Sequence, residues 1–382
     1  MNIPFHKPFI GEEEINAVVE TLRAGWITHG KKTEEFENKF KDYIGCKNAV
    51  AVNSCTAALH LALKVIDLKE GDEVLVPALT FVSTAEVVRY FNAKPVFVDV
   101  EPNTLLINPE KIEEKITGKT KVIIPVHYSG QACDMDKIME IAKKHNLFVI
   151  EDAAHSLPSW YKGRKIGTIG DFTCFSFYAT KTLTTGEGGM ITTENDSWAE
   201  KLKILRLHGI NKDAWKRYDK EGTWKYDVLD LGYKYNTTDI NSALGIEQLK
   251  KLELMWEKRK EIANRYNSAF KDINELTLYK IKENRVSSYH LYPLILNLEK
   301  LKISRDKFIE EIKKNGIATS VHFIPLYEFS YYKNLGYKKQ DFLNTKKIAD
   351  RIVSLPIFPS MTEEEVNYVI KNTREILKNF KK

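Results

Sequence analysis

Short apolar runs alternate with amphipathic stretches between residues 48 and about 193. Five runs rich in β-branched residues predict strands: 48–53, 73–76, 95–98, 121–126 and 147–150. Three stretches with helical spacing between them predict helices: 56–65, 84–91 and 134–144. The strands lack the alternation of a half-exposed sheet, so we expect a mostly parallel sheet with helices on both faces. Two more strand-like runs, 172–177 and 190–193, are separated by Gly-rich turns and are candidates for antiparallel pairing.

The pattern changes after about residue 237. Residues 239–270 are rich in Leu, Glu, Lys and Ala at helical spacing, which predicts one bent helix or two in succession. Five further elements are predicted beyond it: strands 289–296 and 317–322, and helices 306–315, 344–352 and 362–377. We therefore expect a large α/β domain over residues 1–240, followed over 241–382 by a long connecting helix and a smaller α+β domain.

Composition and charge narrow the class of protein. The chain has 382 residues and a net charge of +6, from 58 basic and 52 acidic residues, with Lys spread along the chain. This distribution is typical of a solvated surface and not of a nucleic-acid-binding patch. No apolar run approaches the roughly 20 residues that span a bilayer, and the N-terminus lacks the apolar core of a signal peptide. The four Cys lie far apart and no metal-site spacing occurs, so we expect a cytoplasmic protein with reduced thiols and no metal.

Candidate chemistry lies where predicted strands end. The first segment, Asn-Ser-Cys-Thr-Ala-Ala at 53–58, opens a helix and offers free N–H groups and hydroxyls, as a phosphate cradle would. Simple N-capping by Ser54 or Thr56 is the alternative. In the second segment, Glu151 and Asp152 close an apolar strand, and a buried carboxylate there needs a cation such as a protonated pyridine nitrogen. A solvated carboxylate at a surface strand end is the alternative.

Two further segments follow along the chain. Lys181 comes after the strand-like run 172–177, among aromatic residues and Gly, and desolvation there would lower its pKa and make the amine nucleophilic. An ordinary loop lysine is the alternative interpretation. The fourth segment, Gly-Tyr-Lys-Tyr-Asn-Thr-Thr-Asp at 232–239, precedes the long helix, and turn and cap chemistry alone would explain it.

Together, in this order and spacing, the segments resemble the DegT/DnrJ/EryC1/StrS family of sugar aminotransferases. The resemblance runs from Gly-Trp-Ile-Thr at 25–28 to Ser-Leu-Pro-Ile-Phe-Pro at 354–359. It implies a pyridoxal 5′-phosphate-dependent transferase of fold type I, an α/β fold whose large domain has a mostly parallel, helix-covered sheet. Within the family, the chain looks closest to enzymes that form UDP-4-amino-4-deoxy-L-arabinose or aminate UDP-linked 4-keto-hexoses.

The resemblance also implies roles for single residues. Lys181 would hold pyridoxal 5′-phosphate covalently and later move a proton, and Asp152 would pair with the pyridine nitrogen. His155 would lie beside the phenolic oxygen of the cofactor, and Phe81 would stack on its ring.

The phosphate and the substrate are assigned in the same way. Cys55, Thr56 and Ser176 would hold the phosphate, and Asn236 would reach it from a neighbouring subunit, which implies a homodimer with shared active sites. Five residues are candidates for contacts to the sugar nucleotide: Thr28, Tyr178, His208, His322 and Tyr327. The family often has His at the position of Tyr178, so a sugar contact there would differ in character.

The resemblance implies transfer of the amino group of L-glutamate to the ketone, most often at C4, of a nucleotide-linked keto-deoxysugar. The product would be an amino sugar for a surface polysaccharide or glycan. Two alternatives belong to other classes: a nucleotide-sugar 3-dehydratase, in which His replaces the lysine, and a non-catalytic regulatory protein that binds the cofactor. Lys181, Asp152 and Ser176 are all present, which argues against both.

Overall fold

The computed structural model describes residues 1–211 and 225–382, and its centre is a seven-stranded sheet. These strands are β1 Asn48–Val52, β2 Glu73–Pro77, β3 Lys94–Val98, β4 Thr120–Ile123, β5 Phe148–Asp152, β8 Phe172–Ser176 and β9 Gly189–Thr193. They lie side by side in the order β1-β9-β8-β5-β4-β2-β3. The pairs from β3 to β8 are parallel, whereas β9 runs antiparallel to both β8 and β1. The predicted mostly parallel sheet and its antiparallel pair are confirmed.

Helices cover both faces of this sheet, as its unbroken apolar strands require. The helices of residues 1–211 are α1 Glu12–Ala24, α2 Lys31–Ile44, α3 Cys55–Val65, α4 Ser83–Arg89, α5 Pro109–Ile112, α6 Met135–His145 and α7 Asp196–Leu205. Alternate strand residues enter two separate cores. Val149 packs on the face covered by α2 and α6, whereas Ile150 packs on the face covered by α3, α4 and α7.

Helices α1 and α2 were not predicted from the pattern. Both have Gly at the N-cap, and neither Gly11 nor Gly30 carries a side chain that could signal a helix start. The buried carboxylate of Asp239 performs this function for α2, because it accepts hydrogen bonds from the N–H groups of Gly30 (2.8 Å) and Thr33 (3.0 Å). The cap therefore comes from a residue about 200 positions further along the chain, where a local pattern cannot reveal it.

The C-terminal part contains a second, antiparallel sheet of three strands. Its strands are β10 Leu276–Leu278, β12 Tyr292–Leu296 and β13 Ile352–Leu355, with β12 in the centre, and its helices are α8 Asp239–Lys250, α9 Leu252–Phe270, α10 Arg305–Lys314, α11 Ser330–Asn334, α12 Leu343–Ala349 and α13 Glu363–Asn379. The predicted stretch 239–270 forms two helices, α8 and α9, separated at Lys251. A third core lies between this sheet and the helices α9, α10 and α13.

Two predicted strands of this part need correction. The prediction of a strand over 317–322 is wrong, because this segment makes isolated bridges, from Ile317 to Ile3 and from Ser320 to Ser354. Strand β12 begins at Tyr292 and not at 289, because Tyr289 has a positive φ of 51° that an extended strand excludes.

A third small sheet joins β6 Trp160–Tyr161 to β7 Arg164–Lys165 and β11 Arg285–Val286. It links the chain after β5 to the segment before β12. Across the two described ranges, no helix combines the length and the apolar character needed to cross a bilayer.

Candidate active site

A cavity of about 420 Å³ opens at the carboxyl ends of β5 and β8, beside the start of α3. Chain turns at these ends expose side chains and N–H groups to one shared space, as is usual for ligand sites in α/β folds. Residues from the sheet side include Ser54, Cys55, Thr56, Phe81, Asp152, His155, Ser176, Tyr178 and Lys181. The cavity therefore brings together seven of the eight predicted cofactor residues and Tyr178.

Lys181 is held in this cavity by the turn that follows β8. Its backbone N–H donates to the carbonyl of Tyr178 at 2.9 Å, and its side chain lines the cavity. Burial lowers the pKa of the Lys181 amine to about 8, although nearby Cys55 and Asp152 act in the opposite direction. At pH 7 about a tenth of the amine is therefore neutral, far more than for a solvated lysine, and this neutral form is the nucleophile.

Asp152, the last residue of β5, faces the same cavity and is only 4% exposed. Its Oδ2 accepts a hydrogen bond from the Thr84 hydroxyl at 2.8 Å, and its Oδ1 accepts one from the Ala154 N–H at 3.2 Å. Burial raises the pKa of this carboxyl, and the two hydrogen bonds counteract the effect. The neutral donors hold the carboxylate in place but do not neutralise it, so the site fits a cationic partner such as a protonated pyridine nitrogen.

The phosphate end is formed by the first turn of α3. Ser54 caps the helix by accepting the N–H of Ala57 at 3.0 Å. Gly189 brings β9 close to this turn, because a Cβ at position 189 would lie 2.6 Å from the Ser54 carbonyl oxygen. The Cys55 thiol points to the Cys174 carbonyl (3.5 Å), and burial raises its pKa well above the ordinary value. The start of α3 is thus capped by Ser54 and lies close to the backbone of β9, and this geometry fits an anion such as phosphate.

Aromatic rings form the walls between these groups. Phe81 is 55% exposed, and its ring lies 6.0 Å from that of Phe323 at a tilt of 52°. His155 is buried and stacks on the ring of Phe323 at 5.8 Å. Burial lowers the pKa of His155 well below its usual range, and its Nδ1 accepts the Ser129 N–H at 3.3 Å. His155 is therefore a neutral imidazole whose Nε2–H is the donor.

The predicted substrate residues divide into two groups. Tyr178 and His322 line the cavity, and the His322 Nδ1 lies 2.9 Å from the Ser354 hydroxyl. Thr28 and His208 are exposed and lie outside the cavity lining. Tyr327 is 1% exposed and stacks on Phe342 at 5.2 Å, so the structure does not bring its ring to the cavity.

Asn236, the eighth predicted cofactor residue, does not line this cavity. Its Nδ2 donates to the Thr237 carbonyl at 3.0 Å, whereas its buried Oδ1 has no hydrogen-bond partner among the described residues. The predicted contact is to the phosphate of another subunit, and it stays a prediction.

The sequence patterns did not indicate the residues that close the cavity from the other side. Phe5 and His6 come from the N-terminal segment, which reaches the site because Ile3 pairs with Ile317. Phe5 stacks on His322 with ring centroids 5.5 Å apart. Other lining residues on this side are His290, Leu291, Phe323 and Ile357. Only tertiary structure brings these positions together, and none of them was predicted as a site residue.

The fold and the site define the class of protein. A half-buried lysine after one sheet strand, a buried aspartate at the end of the neighbouring strand and a capped helix start together fit pyridoxal 5′-phosphate in a fold-type-I enzyme. Residues 8–374 match the model of the DegT/DnrJ/EryC1/StrS aminotransferase family. The chain belongs to this family and is a pyridoxal 5′-phosphate-dependent sugar aminotransferase.

Individual relatives agree with this assignment. The chain is 54% identical over 376 residues to the uncharacterized protein MJ1066 of Methanocaldococcus jannaschii, covering 98% of this chain and 97% of the relative. It is 48% identical over 378 residues to the spore coat polysaccharide biosynthesis protein SpsC of Bacillus subtilis, again covering 98% and 97%. Among solved structures, the putative sugar aminotransferase Spr1654 of Streptococcus pneumoniae in its PMP form superposes with a TM-score of 0.93 at 38% identity, covering 99% and 100%.

Proposed function

We propose that the chain transfers the amino group of L-glutamate to the C4 ketone of a nucleotide-linked keto-deoxysugar. The observation that supports this proposal most strongly is the placement of Lys181 and Asp152 in one cavity with Tyr178 and His322 beside them. The similarity to SpsC, whose name refers to polysaccharide biosynthesis, supports a product used in a surface polysaccharide or glycan. We further propose that the enzyme works in the cytoplasm, where sugar nucleotides are available.

We propose Lys181 as the residue that binds the cofactor covalently and that moves the proton. When bound, pyridoxal 5′-phosphate supplies an electron sink that stabilises negative charge on the carbon bearing the amino group. The Lys181 amine has a pKa of about 8, so it can accept a proton from that carbon and donate it to C4′ of the cofactor within one cycle.

The other cofactor residues are proposed to fix position and charge. The Asp152 carboxylate would hold the proton on the pyridine nitrogen, and the neutral His155 would donate its Nε2–H toward the phenolic oxygen. Phe81 would cover one ring face. The N–H groups of Cys55 and Thr56 and the Ser176 hydroxyl would bind the phosphate, with the Cys55 thiol itself facing the protein interior.

The identity of the sugar nucleotide can be tested by separating the two half-reactions. The enzyme, first converted to its pyridoxamine form with L-glutamate, is mixed with UDP-, dTDP- and GDP-linked keto sugars, and the return of the pyridoxal absorbance is recorded. We expect a fast return with a nucleotide-linked 4-keto sugar and a much slower return with 3-keto sugars or free sugars. A fast return with 3-keto sugars alone would contradict C4 amination. Failure of L-glutamate to produce the pyridoxamine form would contradict the proposed donor.

We propose a homodimer in which Asn236 contributes to the phosphate site of the neighbouring subunit. The buried Oδ1 of Asn236 has no hydrogen-bond partner among the described residues, and this supports a polar contact with a group outside this chain. We also propose that residues 1–240 form the large domain and that 241–382 form the connecting helix and the small domain. In this arrangement each active site depends on both chains.

Complementation between two inactive variants tests the shared site. Lys181→Ala and Asn236→Trp are each expected to be inactive, and mixing and refolding them should restore activity. In a mixed dimer one site carries both lesions and the other carries neither, so up to about half of the heterodimer sites recover. Proven heterodimers that remain as inactive as both parents would show that Asn236 does not serve the neighbouring subunit.

A further inference from the structure

A buried polar cluster lies on the opposite face of β5 from the cavity. Successive strand residues point to opposite faces, so Glu151 faces away from the site that Asp152 enters. Glu151 and His127 are both 0% exposed, and their Oε2 and Nε2 atoms are 2.8 Å apart. The Glu151 Oε1 also accepts hydrogen bonds from the Gly170 N–H at 2.7 Å and the Thr173 hydroxyl at 2.8 Å.

The hydrogen bonds of His127 assign the charge of this cluster. The Cys133 N–H donates to the His127 Nδ1 at 3.1 Å, so Nδ1 carries no proton and Nε2 must carry one. The Nε2–H therefore donates to Glu151, whose two oxygens act only as acceptors. Because both oxygens of Glu151 accept hydrogen bonds, its side chain is an ionised carboxylate. The His127 imidazole is neutral and does not compensate this negative charge. Among the described residues, His127 is the one basic side chain within ion-pair distance of Glu151.

The same segment also fixes the backbone of Asp152. The Asp152 N–H donates to the Pro125 carbonyl at 2.9 Å, and the Asp152 carbonyl accepts the His127 N–H at 3.1 Å. His127 therefore holds the end of β5 through its backbone and orients Glu151 through its ring. The buried carboxylates of Glu151 and Asp152 are therefore adjacent in the chain and lie on opposite sides of β5. A shift of the strand end would break the two backbone hydrogen bonds of Asp152.

We propose that Glu151, oriented by His127, is a positioning residue that strengthens the preference of Asp152 for a protonated pyridine ring. A like charge on the adjacent residue makes an isolated Asp152 carboxylate less favourable, and a cation bound to Asp152 relieves both charges at once. Burial raises the pKa of the Cys133 and Cys174 thiols, so both stay neutral and add no charge beside Glu151. On the Asp152 side the Lys181 amine already acts as a positive charge, and a protonated cofactor ring would add a second one in contact with the carboxylate. This inference concerns only cofactor binding and is independent of the sugar substrate.

The test compares binding of two probes to the apoprotein: pyridoxal 5′-phosphate and its analogue with C–H in place of the ring nitrogen. The analogue cannot be protonated on the ring. The dissociation constant of the analogue divided by that of pyridoxal 5′-phosphate therefore measures the preference for a cation, and this quotient is the ratio used below. Glu151→Gln removes the charge and should reduce this ratio by about tenfold, equivalent to about one pKa unit of the ring nitrogen. Thr173→Val is the matched control, because it removes one hydrogen bond from Glu151 but keeps its charge, and it should preserve the ratio.

Two outcomes would overturn the proposal. A folded Glu151→Gln protein with an unchanged ratio would show that the Glu151 charge does not reach the ring. An equal loss of the ratio in Thr173→Val would show that local packing, and not charge, is responsible. If Glu151→Gln does not fold, His127→Gln retains a neutral donor for Glu151 and should preserve the ratio. Loss of the ratio in that variant would also contradict the proposal.

Discussion

Replacing Lys181 with alanine is expected to lower turnover by roughly 10³-fold or more, because one amine provides both covalent attachment and proton transfer. The cofactor should still bind, since Asp152 and the first turn of α3 remain. Borohydride treatment of the wild-type enzyme followed by peptide mapping should place the pyridoxyl label on Lys181. The attachment rate should rise with pH through about 8, because the Lys181 amine becomes neutral above its pKa.

Lys165 offers a matched control for this prediction. It is another partly buried lysine whose pKa is lowered by burial, and its Nζ lies 3.7 Å from the centre of the Tyr43 ring, outside the cavity. Lys165→Ala should keep the label on Lys181 and retain most of the turnover. Label on a lysine other than Lys181 in the wild-type enzyme, or near-normal turnover of Lys181→Ala, would contradict the assignment.

The central sheet could be predicted from the sequence because each of its strands carries a local pattern. Val149 and Ile150 are both buried although they point to opposite faces, and this double burial produces the continuous apolar runs. Since the carboxyl ends of parallel strands meet at one edge, the same runs also indicate where Asp152 and Lys181 lie.

Contacts between distant parts of the chain account for what the sequence did not predict. Phe5 and His6 reach the cavity through the pairing of Ile3 with Ile317, and the same pairing replaces the strand expected over 317–322. Tyr327 has an amphipathic side chain suited to a cleft, but stacking on Phe342 buries it in a core. The family resemblance implied a role for Cys55 at the phosphate, yet only the structure places its thiol against the Cys174 carbonyl.

Replacing Asp152 with asparagine is expected to lower turnover by about 10²-fold or more, because the charge that keeps the ring nitrogen protonated is lost from a closed site. The fold should tolerate this change. The introduced amide oxygen can accept the Ala154 N–H, and the introduced NH₂ group can donate to the Thr84 hydroxyl, which can in turn donate to Thr80 at 2.9 Å. Thr84→Val is the matched control, because it removes a hydrogen bond from Asp152 but leaves the charge, and it should cost far less activity.

The stability of the apoprotein separates loss of charge from misfolding in Asp152→Asn. Burial raises the pKa of Asp152 in the folded state above its value in the unfolded chain. Folding therefore favours the protonated form of Asp152. Its contribution to the free energy of unfolding is fully present below the unfolded pKa and is lost as the pH rises through the folded pKa, because the buried side chain then becomes charged. Without cofactor, Asp152→Asn should melt at a higher temperature than the wild type at neutral pH, and the difference should shrink in acid. A variant that loses activity and also melts earlier at neutral pH would indicate structural damage, and near-normal turnover would exclude the proposed role of the charge.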